Sequence, residues 1–357
     1  MAEKVLVAMS GGVDSSVAAY LLQQQGYACI GVTMRLYENE TAGIPRGHTC
    51  CSLDDVEDAR AVAYDLGMPY YVLNFTEEFD EKVIRKFVQV YQNGGTPNPC
   101  IDCNRYLKFD HLLNRARELG CDYIATGHYV QRWQDENGRW GLRKNDDPGK
   151  DQSYVLYSLT QDQLAHTLFP LGGMHKDAVR AIAEEQGLCN ARKHDSQDIC
   201  FVPDGDYVSF LRQYGGVEPV PGDFLDSEGR VLGRHRGMEC YTIGQRKGLG
   251  VSANAPQYVL GKDPDRNAVI LGEDNRLYTR ELTAERVNWL SVPEPDRPLS
   301  VTAKTRYSQR EAAATVEPLP GGRIRMVFTE PQRAVTPGQA VVFYDGDLVL
   351  GGGTICP

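Results

Sequence analysis

The sequence predicts an α/β protein: a parallel sheet with helices on both faces, then a small β-rich unit, then an antiparallel β-barrel. Three observations predict it. Short apolar runs alternate with amphipathic segments over the first 130 residues. A glycine-rich turn joins the first apolar run to the first amphipathic segment. Beyond Pro203, proline and glycine become dense and short alternating runs replace helical ones.

Taken in order, strands are predicted at Val5–Met9, Cys29–Met34, Tyr70–Leu73 and Tyr123–Thr126. Helices are predicted at Ser15–Gln25, Asp54–Leu66, Glu77–Tyr91 and Phe109–Leu119, with a further capped one at His175–Gln186. Two long polar loops, Tyr37–Thr49 and Asn93–Asn104, interrupt the alternation and are expected to be partly disordered on their own. Gly215-Gly216, Pro219 and Pro221-Gly222 mark the change of texture. The runs Leu299–Lys304, Arg323–Phe328, Ala340–Tyr344 and Leu348–Leu350, separated by turn residues, read as a small barrel. The domain reading is 1–204, 205–280 and 281–357.

The turn is Ser10-Gly11-Gly12-Val13-Asp14-Ser15-Ser16. Adjacent glycines let the backbone N–H groups turn inward, serine hydroxyls add donors, and a following helix start adds partial positive charge. Together with Ala8 and Met9 at the strand end, these residues form an anion cradle. No Gly-x-x-x-x-Gly-Lys-Ser/Thr occurs in the chain, so the cradle lacks the lysine of the common nucleotide loop. Ser-Gly-Gly-x-Asp-Ser resembles the pyrophosphate (PP) loop of ATP pyrophosphatases, which cleave ATP between the α and β phosphates.

Net charge is −10, with hydrophobic residues at 41% and charged residues at 24%. No apolar run reaches membrane-span length, so a membrane role is not expected and a cytoplasmic location is. Charge is unevenly spread: residues 38–81 hold eleven acids and two arginines, whereas 297–336 hold seven Lys/Arg and three Glu. A basic patch on an acidic protein still binds a polyanion, because phosphate contact is local.

Ten cysteines in a reducing compartment point to reactive thiols or metal ligands. Cys100-Ile101-Asp102-Cys103 is expected on a loop ahead of a helix whose start favours a thiolate, and Cys200 follows 97 residues later. Cys50-Cys51 reads as incidental. Cys29, Cys121, Cys189, Cys240 and Cys356 read as small buried hydrophobes.

Further motifs are Thr96-Pro97-Asn98-Pro99, Ala125-Thr126-Gly127-His128-Tyr129, Lys150-Asp151-Gln152-Ser153-Tyr154 and Asp195-Ser196 with Ile199-Cys200-Phe201. Tyr241 to Gly250, Arg306-Tyr307 and Glu330 to Gln339 follow. With these motifs in this order the chain resembles the tRNA-specific 2-thiouridylases over essentially its whole length. The resemblance implies ATP and Mg²⁺ as cofactors, with Ser10–Ser16 on the pyrophosphate, Asp14 near the metal, and Met34 and Gly127 on adenosine. It implies replacement of O2 of the wobble uridine by sulfur in tRNAs for Lys, Glu and Gln. Cys200 would carry a persulfide received from a cysteine desulfurase or sulfur-relay protein, and Cys103 would be the second thiol. Asn98, Pro99 and Cys100 would lie against the target base. His128, Lys150, Asp151, Gln152, Arg306, Tyr307 and Gln339 would contact tRNA. The bland alternatives are a strand-end histidine bonded within the protein and ordinary solvated charges.

Many relatives have Asp where this chain has Cys100. Three thiols, Cys100, Cys103 and Cys200, suit a [4Fe-4S] cluster with one open iron, so sulfide on a cluster stands beside the persulfide relay. Two readings from other classes remain at this point. A nitrogen-transferring synthetase would leave Cys103 and Cys200 idle. An RNA-binding protein with a vestigial ATP site would leave the intact loop unexplained.

Overall fold

The computed structural model describes residues 2–37, 53–195, 199–202 and 205–357. The loop expected at Tyr37–Thr49 (beyond Tyr37 itself) and the Cys50-Cys51 pair lie outside these residues. The N-terminal sheet contains β1 (Lys4–Ala8), β2 (Ala28–Arg35), β3 (Tyr70–Asn74), β4 (Tyr123–Ala125) and a short strand at Thr167–Leu168. All pairings are parallel and the order is β3-β2-β1-β4, with Thr167–Leu168 outermost. The chain winds one way from β1 to β3 and returns on the other side at β4. The switch point therefore lies between β1 and β4, where open α/β sheets place their ligands. Val5, Leu6 and Val7 are fully buried because helices cover both faces.

Helices α1 (Val13–Gln24) and α2 (Leu53–Asp65) occupy the predicted positions within two residues at each end. The region around the cysteine pair differs from expectation. Instead of a loop to Asn104 and a helix from Phe109, a helical run covers residues 99–118, π-helical across Cys103–His111. Pro99 starts it, because its fixed φ suits the first helical position and its missing N–H needs no partner there. Cys100 and Cys103 are therefore helical residues, and the helix start precedes Cys100 rather than following Cys103. A second π-helical turn, Asp80–Ile84, interrupts the run over residues 76–92.

The central unit is a four-stranded sheet of Gly222–Leu225, Val231–His235, Tyr258–Asp263 and Ala268–Gly272. The C-terminal unit closes six strands into a barrel: Tyr278–Trp289 pairs with both Arg323–Arg333 and Leu348–Ile355, and Ala312–Leu319, Leu299–Lys304 and Ala340–Asp345 complete the circle. Closure removes exposed edges. The hairpin Gln131–Gln134/Trp140–Arg143, from the first 204 residues, extends this barrel sheet through Arg143 opposite Leu348. Among the described residues no helix is long and apolar enough to cross a membrane.

Candidate active site

The glycine-rich turn leaves β1 at its carboxyl end and opens α1. Gly11 has φ +72°, and a Cβ there would lie 2.3 Å from the Asp55 carbonyl oxygen, so only glycine fits. Gly12 caps α1 with extended backbone and no side chain of its own. Its carbonyl accepts from both hydroxyls of the helix start, Ser15 at 3.0 Å and Ser16 at 3.1 Å. Ser15 Oγ also accepts from the Ser10 N–H at 3.1 Å. Asn190 Nδ2 donates to the Gly11 carbonyl and to Ser16 Oγ, and its buried Oδ1 has no partner among the described residues. Val13 is buried under the turn.

Gly127, just after β4, closes the crevice. A Cβ on it would lie 2.8 Å from Asp14 C and Ser15 N, so the missing side chain lets the end of β4 approach the first turn of α1. Asp14 projects from the first turn of α1 and is held by three hydrogen bonds. Tyr129 Oη donates to Oδ1 at 2.7 Å, and Lys176 Nζ donates to Oδ1 at 2.7 Å and Oδ2 at 2.9 Å. The same ammonium reaches Asp195 Oδ1 at 2.8 Å. Asp195 also receives Lys150 at 2.7 Å and Arg180 at 3.0 Å. Burial pushes the Asp195 carboxyl up, but hydrogen bonds from Lys150 and Lys176 outweigh it and hold the group at about 2. Burial and the Asp14 carboxylate push the Tyr129 phenol well above its usual range, so it stays a donor.

Cys103 is buried and Cys200 half-buried, and both pack into the largest apolar cluster among the described residues, as do Ala8, Met34 and Tyr37. Tyr37 Oη donates to the Cys200 carbonyl at 2.7 Å, and Phe201 packs edge-on against Phe79 and Phe87. Met9 is buried on the opposite side of the sheet, where its carbonyl accepts from Thr33. Cys100 is exposed. Among the described residues no group of three His, Cys, Asp or Glu side chains is placed to hold a metal. Of the remaining cysteines, Cys29, Cys121 and Cys240 are buried as expected, Cys356 is half-buried, and Cys189 is exposed, contrary to expectation.

Several of the other predicted residues gather where the barrel meets the first domain. Gln339 Nε2 donates to the Thr96 and Pro97 carbonyls at 2.8 and 3.1 Å, just before Asn98 and buried Pro99. Tyr307 is 46% exposed, and its hydroxyl donates to the Asp151 carbonyl at 3.2 Å. Its phenol is pushed up by burial, and then by Asp151 and Cys100. Arg306 donates to the carbonyls of Arg333 and Ala334. The Asp151 carboxylate accepts from Ser153, and Gln152 Oε1 accepts from the Tyr129 N–H. His128 is buried between Phe109 and Phe169 with Nδ1 2.8 Å from Thr126 Oγ1. Burial, and then Lys108, push it well below its usual range, so it is neutral.

Tyr129 and Lys176 hold Asp14, and sequence reasoning gave neither a role. One signal was available for Lys176: a cation in the first turn of a helix opposes the helix dipole and calls for a reason.

The chain matches the family described as the tRNA methyl transferase HUP domain over residues 3–204. It also matches the tRNA methyl transferase PRC-barrel domain over 208–273 and the aminomethyltransferase beta-barrel domain over 279–355. It is 56% identical over 351 residues to the tRNA-specific 2-thiouridylase MnmA of Moorella thermoacetica, covering 98% of each chain. It is 52% identical over 357 residues to that of Acetivibrio thermocellus, covering 99% of each. Among solved structures, the U34-tRNA thiolase NcsA from Methanococcus maripaludis with its [4Fe-4S] cluster is 20% identical with a TM-score of 0.35, covering 60% of this chain and 70% of that one. A likeness that loose carries no argument about chemistry.

Proposed function

As this chain belongs to the tRNA-specific 2-thiouridylase family, we propose that it converts the wobble uridine 34 of tRNAs for Lys, Glu and Gln to 2-thiouridine, at the expense of ATP. The observation that supports this most is the pairing of a glycine-built anion cradle at the switch point with two cysteines, Cys103 and Cys200, in one apolar cluster. A nitrogen-transferring synthetase needs no such pair.

A uridine C2 carbonyl is a poor electrophile and its oxygen a poor leaving group. In the proposed first step O2 attacks the α phosphorus, pyrophosphate leaves into the cradle of Ser10–Ser16, and O2 carries AMP. Met34 and Gly127 flank the adenosine. Asp14, the single carboxylate of the loop, would hold Mg²⁺ together with phosphate oxygens and water, and the ion would supply charge neutralisation. In the second step the terminal sulfur of a persulfide on Cys200 attacks C2 and expels AMP. The Cys103 thiolate then attacks Cys200 Sγ, which leaves sulfur on C2 and forms a Cys103–Cys200 disulfide. A thiol reductant restores both thiols. A cysteine desulfurase or relay protein recharges Cys200, and a cytoplasmic setting supplies both.

Asn98, Pro99 and Cys100 would face the target base, with Tyr307 as an exposed aromatic for an unstacked anticodon nucleotide. Arg306, Gln339, Lys150, Asp151, Gln152 and His128 would shape the surface around it, several of them through the backbone they hold. Product analysis tests the reaction class. The chain, ATP, unmodified tRNA and a sulfur source are incubated, and nucleotides are separated. AMP and pyrophosphate in proportion to 2-thiouridine are expected. ADP and phosphate, or thiolation without ATP, would refute the proposal.

A further inference from the structure

The glycine-rich turn has a shortage of positive charge. Its sequence lacks a phosphate-binding lysine. Its hydroxyls are committed to the turn, since Ser15 and Ser16 both donate to the Gly12 carbonyl. A triphosphate entering this site carries more negative charge than one Mg²⁺ and the backbone amides offset.

Lys176 brings a cation from outside the loop. It is the first residue of the ten-residue helix Lys176–Glu185, and its side chain is 8% exposed. Its ammonium bridges Asp14 in the cradle to Asp195 across the crevice, at 2.7 and 2.8 Å. The two ends of the bridge are unequal. Asp195 keeps Lys150 and Arg180 if Lys176 turns away. Asp14 keeps the Tyr129 hydroxyl. An ammonium on a flexible four-carbon stem, with three donors, can redirect one hydrogen bond without moving its helix.

We propose that Lys176 is the phosphate-binding lysine of this site, supplied from another helix, which turns from Asp14 to the pyrophosphate half of bound ATP while Lys150 and Arg180 hold Asp195. This rests on the ATP-using reaction proposed above. It also accounts for a cation at a helix N-terminus, where the dipole disfavours it.

The test uses the full chain and two probes, the non-cleavable α,β-methylene analogue of ATP and AMP, measured by titration calorimetry. Lys176→Met is expected to weaken the analogue about 10- to 100-fold, the worth of a charge-assisted hydrogen bond. AMP affinity should stay within about twofold, because AMP lacks the groups that Lys176 meets. Lys176→Arg should restore most of the analogue's affinity. A merely structural ion pair would lower both affinities together or neither, and either result overturns the proposal. Should Lys176→Met fail to fold, Lys176→Gln is measured in its place under the same criteria. Wild-type protein that binds neither probe would instead refute the ATP reading itself.

Discussion

At the scale of single residues, the site is built by small side chains and by one buried base. Gly11 and Gly127 matter for the space they leave, since a Cβ on either would meet backbone. His128 matters for a proton it does not bind. Buried and neutral, it has a folded pKa well below the ordinary 6.5. Above that value it is neutral in both states and leaves stability unchanged. As pH falls below it, the unfolded chain gains a proton that the folded chain does not, and stability drops by up to about 1.4 kcal/mol per pH unit until the folded pKa is reached. Urea midpoints between pH 7 and 5 should therefore slope less in His128→Gln than in wild type. Equal slopes would contradict a buried neutral ring. The Ser10–Ser16 turn was legible in the sequence because glycine and hydroxyl positions sit between two unmistakable elements. The Lys176 bridge was not, because its partners Asp14 and Asp195 are 162 and 19 residues distant and only tertiary packing unites them.

At the scale of elements, the parallel order of the first domain follows from alternation of apolar runs with amphipathic segments. Periodicity failed at the cysteine pair. Asn98-Pro99 resembles a loop locally, yet Pro99 starts a helix whose π-helical stretch disturbs the apolar spacing from which a regular helix is read. The hairpin Gln131–Arg143 was also missed, although Asn137-Gly138 between Trp133 and Trp140 is a usable turn signal. The start of the cysteine-bearing helix is tied to the barrel by Gln339, which donates to Thr96 and Pro97. Gln339→Ala removes both bonds, at about 1 kcal/mol each at most when the carbonyls can turn to water. It should lower tRNA thiolation through a raised KM for tRNA while ATP binding stays unchanged. A weakened ATP affinity with normal KM for tRNA would show that the tie serves the nucleotide site instead.

At the scale of the whole molecule, the first domain and the barrel are joined beside one crevice. The first supplies the cradle and the cysteines, the barrel reaches back to it through Gln339 and Tyr307, and the hairpin binds both into one sheet. An overall charge of −10 does not oppose this reading, because phosphate contact is local. The account rests on sulfur passing from Cys200 to a nucleotide-activated uridine. The most direct test is a single turnover. The chain is charged with a ³⁴S-labelled persulfide at Cys200 under anaerobic conditions and mixed with unmodified tRNA, with or without ATP, and the nucleosides are weighed by mass spectrometry. The account predicts ³⁴S-2-thiouridine at position 34 only with ATP, with a Cys103–Cys200 disulfide in matching amount. Label left on Cys200 in the presence of ATP and tRNA, or 2-thiouridine without label, would contradict it.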